Sequence, residues 1–488
     1  MLVIGILTIF FILNAAVVIL SHKKQDSFEE YSVGSRSFGW ILVSFALMGG
    51  FYEGSLYTNL FTESNSEGIL AQSTLIYYVG APLVLFLMIE PVWIWGKVYG
   101  LQTQSDLIEL RYNSKLFKIL FSSVVFILWM PLLIVEMKLT GFIISIITDG
   151  YINNNIGMIL ICMLVIIYVF YGGLRASANS SVLQVLTFII LGTIVFSFLI
   201  YKTYGGILPL FKDLESANPS LLILQKDSGG NFWTSYIMIR ILSLFCWPSM
   251  FSVLYMAESP RALKKIILIS PIFGVFITLS TLLLGLGGSM LREFPFSGPY
   301  GIFFIAEKFG GTLMLALTGI VALSACMATL SGVIGTAAVI VAKDFLGLIK
   351  GRSNTLVDAR ICTIIIGLIF LWISTVDIPN IFIIGVVIYN CVAQAIVPLL
   401  LGQYWKKSNL YGAAIGMLIG MGFTIYASFF PNVIEWANGF SAGIIGLGIN
   451  LLIHIILGYA FGKQDHVDEI FDVVRNYKED KIKHDKLI

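Results

Sequence analysis

The chain has 488 residues, of which 58% are hydrophobic and only 12% charged, and its mean hydropathy is +0.91. Soluble domains carry about 25% charged residues, so a globule facing water on all sides is excluded. The formal net charge of +2 gives no whole-chain case for a nucleic-acid partner. The five cysteines (Cys162, Cys246, Cys326, Cys362 and Cys391) fall in apolar stretches without CxxC spacing. That placement favours buried packing thiols over disulfides or zinc.

A bilayer crossing takes about 20 mostly apolar residues. Thirteen such windows follow one another, at 2–20, 39–62, 70–96, 116–148, 155–172, 180–201, 232–256, 266–291, 311–342, 359–376, 379–402, 409–430 and 439–462. The first has no basic stretch before it and is followed by His22-Lys23-Lys24, the flank of a retained helix whose N-terminus is outside. From that start, the connections on the cytoplasmic side and the tail hold 23 Lys and Arg residues. The opposite side holds five: Lys202, Lys212, Lys226, Arg292 and Lys308. This positive-inside bias predicts an N-out, C-in chain in the cell (plasma or inner) membrane.

Breaks inside two windows carry more information. The second contains Gly49-Gly50 and then Glu53-Gly54-Ser55 at mid-depth; the seventh contains Trp247-Pro248-Ser249. Glycine frees the backbone and proline removes a donor, so both interrupt helices. Interrupted helices in corresponding positions of two halves mark transporter binding sites near the midplane. The breaks lie five windows apart, which predicts two inverted five-helix repeats. The expected layout is an additional N-terminal helix and loop over 1–38, and a ten-helix core over 39–402. In that core, repeats 39–201 and 232–402 flank an external loop, 202–231. Two further helices over 403–462 and a cytoplasmic tail over 463–488 follow. The tail spaces Val467, Ile470, Phe471 and Val474 as a short amphipathic helix lying on the membrane or on the bundle. Charges at bilayer depth are costly unless they face protein or water. Glu53, Glu90, Glu136, Lys138, Arg240 and His454 all fall within windows. Glu90 is read as reaching the interface, His454 as structural, and Glu136 and Lys138 as too differently directed to need each other. No Walker or GxGxxG pattern sits in a soluble context, so neither an enzyme nor an ATP-driven pump is expected.

Five segments, in order, resemble the sodium:solute symporter family: YSVGSRSFGW (31–40), GLQTQSDLIELRY (100–112), GGLRASANSSVLQ (172–184), WPSMFSVLYMAESPRALKK (247–265) and ACMATLSGVIGTAAVIVAKDF (325–345). The resemblance implies an all-α membrane protein with a LeuT-like core, working by alternating access and moving solute with a cation. It also implies a sodium site formed by the carbonyls of Gly49, Tyr52 and Ala325 and the side chains at Ala328 and Thr329. Here the chain departs from the family pattern. Two adjacent hydroxyls are usual where this chain has Ala328-Thr329, a Thr-Asp pair where it has Ser180-Ser181, and an Asp where it has Ser331. Ligand number and charge set affinity for hard cations, so a proton stands beside Na+ as the possible coupling ion.

Glu53 lies in the first break. It could hold a proton, balance a cationic solute or serve a modified sodium site, or it could pair with Arg240 or Lys138. Arg240, beside Trp247-Pro248, could receive a carboxylate bidentately. The solute residues expected are Glu53, Gly54, Ser55, Tyr77, Arg240 and Trp247, with the helix breaks at Gly49, Gly50 and Pro248. The reading is cation-coupled symport of a small polar organic solute, amino acid or organic acid ahead of sugar. A solute sensor with weakened coupling, and a proton-coupled or facilitative carrier of the same fold, are the alternatives.

Overall fold

The computed structural model describes residues 2–20, 25–223, 230–291, 300–350, 355–376 and 381–485. The His22-Lys23-Lys24 flank, Lys226, Arg292 and Arg352 lie outside the described residues. Helix α1 (Leu2–Leu20) and the short α2 (Phe28–Val33) precede α3 (Trp40–Phe51) and α4 (Gly54–Glu67), two halves of one interrupted span. Next come α5 (Ser73–Tyr99), α6 (Gln104–Tyr112), α7 (Lys115–Ile147), α8 (Asn154–Leu186) and α9 (Gly192–Tyr204). After α10 (Ile207–Ala217), α11 (Gly230–Ser243) and α12 (Pro248–Met256) form a second interrupted span, bent by 51°. Helices α13 (Pro260–Gly288), α14 (Tyr300–Ile340), α15 (Gly347–Lys350), α16 (Leu356–Ser374), α17 (Ile381–Val392) and α18 (Ile396–Tyr404) follow. The chain closes with α19 (Leu410–Phe429), α20 (Ala442–Phe461) and the tail helix α21 (Val467–Asp485).

Polarity is arranged for lipid. Ile9, Ile12, Leu83, Ile194, Ile365 and Ile456 are exposed, whereas Glu136, Gln184, Thr281, Asn450 and His454 are fully buried. Hydrocarbon accepts no hydrogen bonds, so polar groups must find partners inside. Among the described residues ten helices are long and apolar enough to cross a bilayer, eleven when α11 and α12 count as one span. Three of these runs, Tyr57–Tyr99, Asn154–Tyr204 and Tyr300–Leu346, have 43, 51 and 47 residues, far more than one crossing needs. Asn154–Tyr204 turns at Gly173 (φ 54) and Tyr300–Leu346 at Gly311 (φ 69). The windows expected at 155–172 and 180–201 are therefore joined by a left-handed glycine rather than a loop. A Cβ on Gly173 would lie 2.6 Å from the Tyr31 carbonyl oxygen, so the close approach also requires glycine.

Connections assigned to one side in the sequence meet at one end of the bundle. Phe38 bridges to Ala257, Arg36 donates to the Leu101 carbonyl (2.6 Å), and Arg175 to that of Gly34 (2.9 Å). Arg111 donates to the Ser408 carbonyl (2.9 Å), and Gln464 of the tail to that of Tyr112 (2.9 Å). At the other end Trp233 donates to Leu70 (3.2 Å), Asn218 to Ser289 (3.3 Å), and Asn231 to Asn438 (3.0 Å). The tail helix lies on the bundle: Val467 and Ile470 are buried, and Trp95 Nε1 donates to the Ile470 carbonyl at 2.7 Å. Glu90, read as reaching the interface, instead pairs with Lys264 (2.5 Å) and with Lys478 of α21 (2.7 Å). His454 has the structural hydrogen bond expected of it, 2.7 Å from Ser408 Oγ.

Candidate functional site

The first break spans Tyr52 and Glu53. Tyr52 leaves the helix at φ −97, ψ 80, and Glu53 is extended at φ −65, ψ 153 as the residue capping α4. Unwinding strands the first N–H groups of α4, which need an acceptor. The acceptor is Glu136 on α7: Ser55 N–H donates to its Oε1 at 2.9 Å and Gly54 N–H to its Oε2 at 3.2 Å. Gly54 sits directly against α14, where a Cβ would come within 2.1 Å of Cys326 Sγ and 2.8 Å of Glu136 Oε2. Lys138, two residues on, turns away and donates to the Val376 carbonyl. Glu136 and Lys138 lie on different faces of the helix, so sequence spacing gives Glu136 no partner. A lone carboxylate in an apolar helix was the available signal, and its partner proved to be backbone.

The second break places Trp247 at φ −72, ψ 125, directly before Pro248. Its ring stands edge-on to Tyr389, with centroids 5.2 Å apart. Arg240 lies over the rings of Tyr77 (4.8 Å), Tyr236 (5.3 Å) and Tyr389 (5.9 Å) and donates to Thr74 Oγ1 at 2.9 Å. Glu63 of α4 faces the same guanidinium. Glu53 accepts from Ser55 Oγ at 3.3 Å and shares this cluster with Tyr389 and Arg240. Among the described residues no ion pair joins Glu53 to Arg240 or Lys138, so the proposed structural pairing is corrected. The guanidinium is held by aromatic faces and Thr74 instead. Glu53, Glu63, Arg240, Tyr236 and Tyr389 are all half-buried, whereas Tyr77 and Trp247 are buried behind them. Glu63, Tyr236 and Tyr389 were not legible as partners in the sequence, because Glu63 lies just past the second window and the two tyrosines lie in separate windows.

The residues of the expected cation position also meet. Thr329 Oγ1 donates to the Gly49 carbonyl at 3.1 Å. A Cβ on Gly49 would lie 2.9 Å from Ser181 Oγ and 3.2 Å from Ala328 Cβ. Ala325 is buried on the same α14 face, while the Tyr52 side chain leaves to donate to the Ser270 carbonyl at 2.9 Å. Gly50 packs beneath Met250 of α12, whose Cε would meet a Cβ there at 2.2 Å. Behind them Ser177 and Ser331 share a hydrogen bond of 2.7 Å, and Gln184 donates to Asn14 of α1 at 3.0 Å. Oxygen atoms from hydroxyls and a carbonyl suit a hard monovalent cation, and no carboxylate joins these hydrogen bonds among the described residues.

At one end of the bundle, α6 ties three core elements together. Gln104 Nε2 donates to the Phe245 carbonyl at the second break (3.0 Å), Thr103 donates to Asp344 (3.0 Å), and Lys343 pairs with Asp106 (2.7 Å). Lys118 of α7 completes the cluster at 2.8 Å from Asp106.

Two interrupted helices facing each other across half-buried charges, in an otherwise apolar bundle, are the arrangement of a multi-pass membrane transporter. The family model described as the sodium:solute symporter family matches residues 31–420, and the chain belongs to that family. An uncharacterized symporter of Bacillus subtilis (strain 168), YhjB, is 23% identical over 461 residues, covering 91% of this chain and 94% of that one. A monocarboxylic acid transporter of Corynebacterium glutamicum is 20% identical over 460 residues, covering 86% and 81%. Among solved structures, the substrate-bound outward-open state of a Na+-coupled sialic acid symporter superposes with a TM-score of 0.80 at 14% identity, covering 95% and 98%. The nucleobase-cation-symport-1 family transporter Mhp1 in a closed conformation gives 0.62 at 12% identity, covering 91% and 98%. These likenesses establish the LeuT-type fold.

Proposed function

We propose that this protein carries a small polar organic solute, an amino acid or organic acid ahead of a sugar, inward with a cation by alternating access. The observation that carries this reading is the meeting of the two breaks around half-buried Glu53 and Arg240, with the Thr329–Gly49 contact beside them. Opposite charges held at bilayer depth suit a solute that is itself charged at both ends. Sodium is the cation favoured by the family, held by Gly49, Tyr52, Ala325 and Thr329. Thirteen crossings with the N-terminus outside and the C-terminus inside fit the segregation of connections to the two ends. Ala328 and Ser181, which supply fewer oxygen ligands than the family pattern, favour a second reading in which a proton is the coupling ion.

Counterflow in proteoliposomes tests both, with sodium and pH varied separately over amino acids, carboxylates and sugars. Sodium-dependent accumulation is expected, and Glu53→Gln should abolish most of it. Uptake by Glu53→Gln with unchanged rate and sodium dependence would remove Glu53 from the mechanism. No flux of any solute under either gradient would overturn the symport reading.

A further inference from the structure

Glu136 has a consequence for what the region between the two breaks can hold. The N-terminus of a half-helix is an electropositive pole with free N–H groups, and in transporters it is where an anionic substrate group docks. Here both carboxylate oxygens of fully buried Glu136 already occupy the N–H groups of Gly54 and Ser55. The space is closed as well, because Gly54 is flanked by Cys326 Sγ and Glu136 Oε2 at distances that exclude even a methyl group. Among the described residues no ion pair joins Glu136 to a cation. The groups near it are Glu53, Tyr57 and Cys326, none of them cationic. Glu53, one residue before the pole, is half-buried and likewise without an ion pair. Arg240, on α11 in the same cluster as Glu53, retains a buried Nε with no hydrogen-bond partner.

We propose that Glu136 is a built-in anion that fills the docking pole of α4, making it a specificity-determining residue that excludes solutes bearing only a carboxylate. The site then takes its solute through a protonated amine at Glu53, and any carboxylate the solute carries goes to Arg240 rather than to the helix. This rests on the solute site proposed above and narrows it from amino or organic acid to amine-bearing solutes.

The test uses the full-length protein in detergent and measures binding of the standard amino acids, their decarboxylated amines and their deaminated acids. In the wild type, amine-bearing members should bind and deaminated acids should not. Glu136→Ala should bind the amine-bearing solute about tenfold or more weakly, the loss expected for charge-assisted hydrogen bonds. Formate should restore much of that loss and raise the melting temperature of Glu136→Ala, with no such effect on the wild type. Glu136→Ala should also gain binding of a deaminated acid. Preference of the wild type for deaminated acids, absence of binding by every amine-bearing member, or a Glu136→Ala protein with wild-type selectivity and no response to formate would each overturn the proposal. If Glu136→Ala does not fold, Glu136→Ser is used, and the order of solutes in the wild type decides on its own. A solute that binds in this order but is moved by no cation gradient would sink symport and leave the role of Glu136 standing.

Discussion

Thr329 and Gly49 show how much one side chain decides at the proposed cation position. The Thr329 hydroxyl reaches the Gly49 carbonyl, while its neighbour Ala328 turns a methyl to the same backbone. Each oxygen ligand lost or gained changes hard-cation affinity. Thr329→Ala should therefore raise the sodium concentration for half-maximal uptake by about tenfold, the scale of one strong polar contact, and Ala328→Ser should lower it. Flux titrated with sodium at fixed pH checks both directions. Gly54 is constrained differently: an added Cβ would meet Cys326 Sγ at 2.1 Å and the Cys326 backbone nitrogen at 2.9 Å. Overpacking of a close-packed interior costs about 1–3 kcal/mol, and here it would also push α4 off Glu136. Gly54→Ala should lower the melting temperature in detergent and abolish uptake; wild-type values for both would show that α4 has room to shift.

Among the elements, α6 carries the heaviest load for its length. Its start is a capping box in which Thr103 accepts from Asp106 N–H and Asp106 accepts in return from Thr103 N–H. The same carboxylate pairs with Lys343, just beyond α14, and Lys118 of α7. Burial alone would raise the Asp106 carboxyl, but the two ammonium groups outweigh it and hold it well below the usual carboxylate range. A depressed value gives stability that is fully present above the unfolded carboxyl value, about 3.9, and lost only as pH falls through the lower folded value. Asp106 should thus contribute no change in melting temperature between pH 8 and 5. Asp106→Asn, which removes the anion shared by half-buried Lys343 and by Lys118 while Lys118 keeps Glu109 at 2.7 Å, should cost about 1.5–3 kcal/mol, the scale of hydrogen bonds to charged groups, and lower the melting temperature throughout that range. A variant that melts like the wild type would show the cluster to be solvated. The tail helix is the other strap. Phe471 packs on Trp95 and Lys478 pairs with Glu90. Truncation after Gly462 should leave a folded bundle with a lower melting temperature and a red-shifted tryptophan emission, since Trp95 is fully buried only beneath α21.

The whole molecule is organised as two ends joined by helices, and its orientation is open to direct measurement. All five cysteines are buried and none of them is in a disulfide, so labelling of an engineered cysteine stands on a low background. Tyr151 and Lys407 are exposed at opposite ends. With the N-terminus outside, Tyr151→Cys should react with a membrane-impermeant maleimide in intact cells, and Lys407→Cys only after permeabilisation. The reverse pattern would invert the topology. The polar interior follows from the same solvent logic. Asn14 of α1 reaches Gln184, which attaches the additional N-terminal helix to the core by a buried hydrogen bond rather than by apolar contact alone.

What the sequence determined by itself was the class, the breaks and the family. Long apolar runs leave no alternative to helices in lipid, and glycine and proline at Gly49, Gly50 and Pro248 mark interruptions through purely local backbone chemistry. The tail helix and the burial of the cysteines were legible for the same reason, since periodicity and hydropathy act locally. Partnerships were not legible. Glu136 lies 82 residues from Gly54, and only the packing of α7 against the break shows that its carboxylate answers two stranded N–H groups. Arg240 looked like a partner for Glu53 because opposite charges at bilayer depth suggest a pair. The fold instead surrounds the guanidinium with Tyr77, Tyr236 and Tyr389 and leaves Glu53 half-buried beside Ser55 and Tyr389. Local propensity and solvent fixed where the helices break; which charge meets which group depends on contacts between distant elements, and those exist only in the folded bundle.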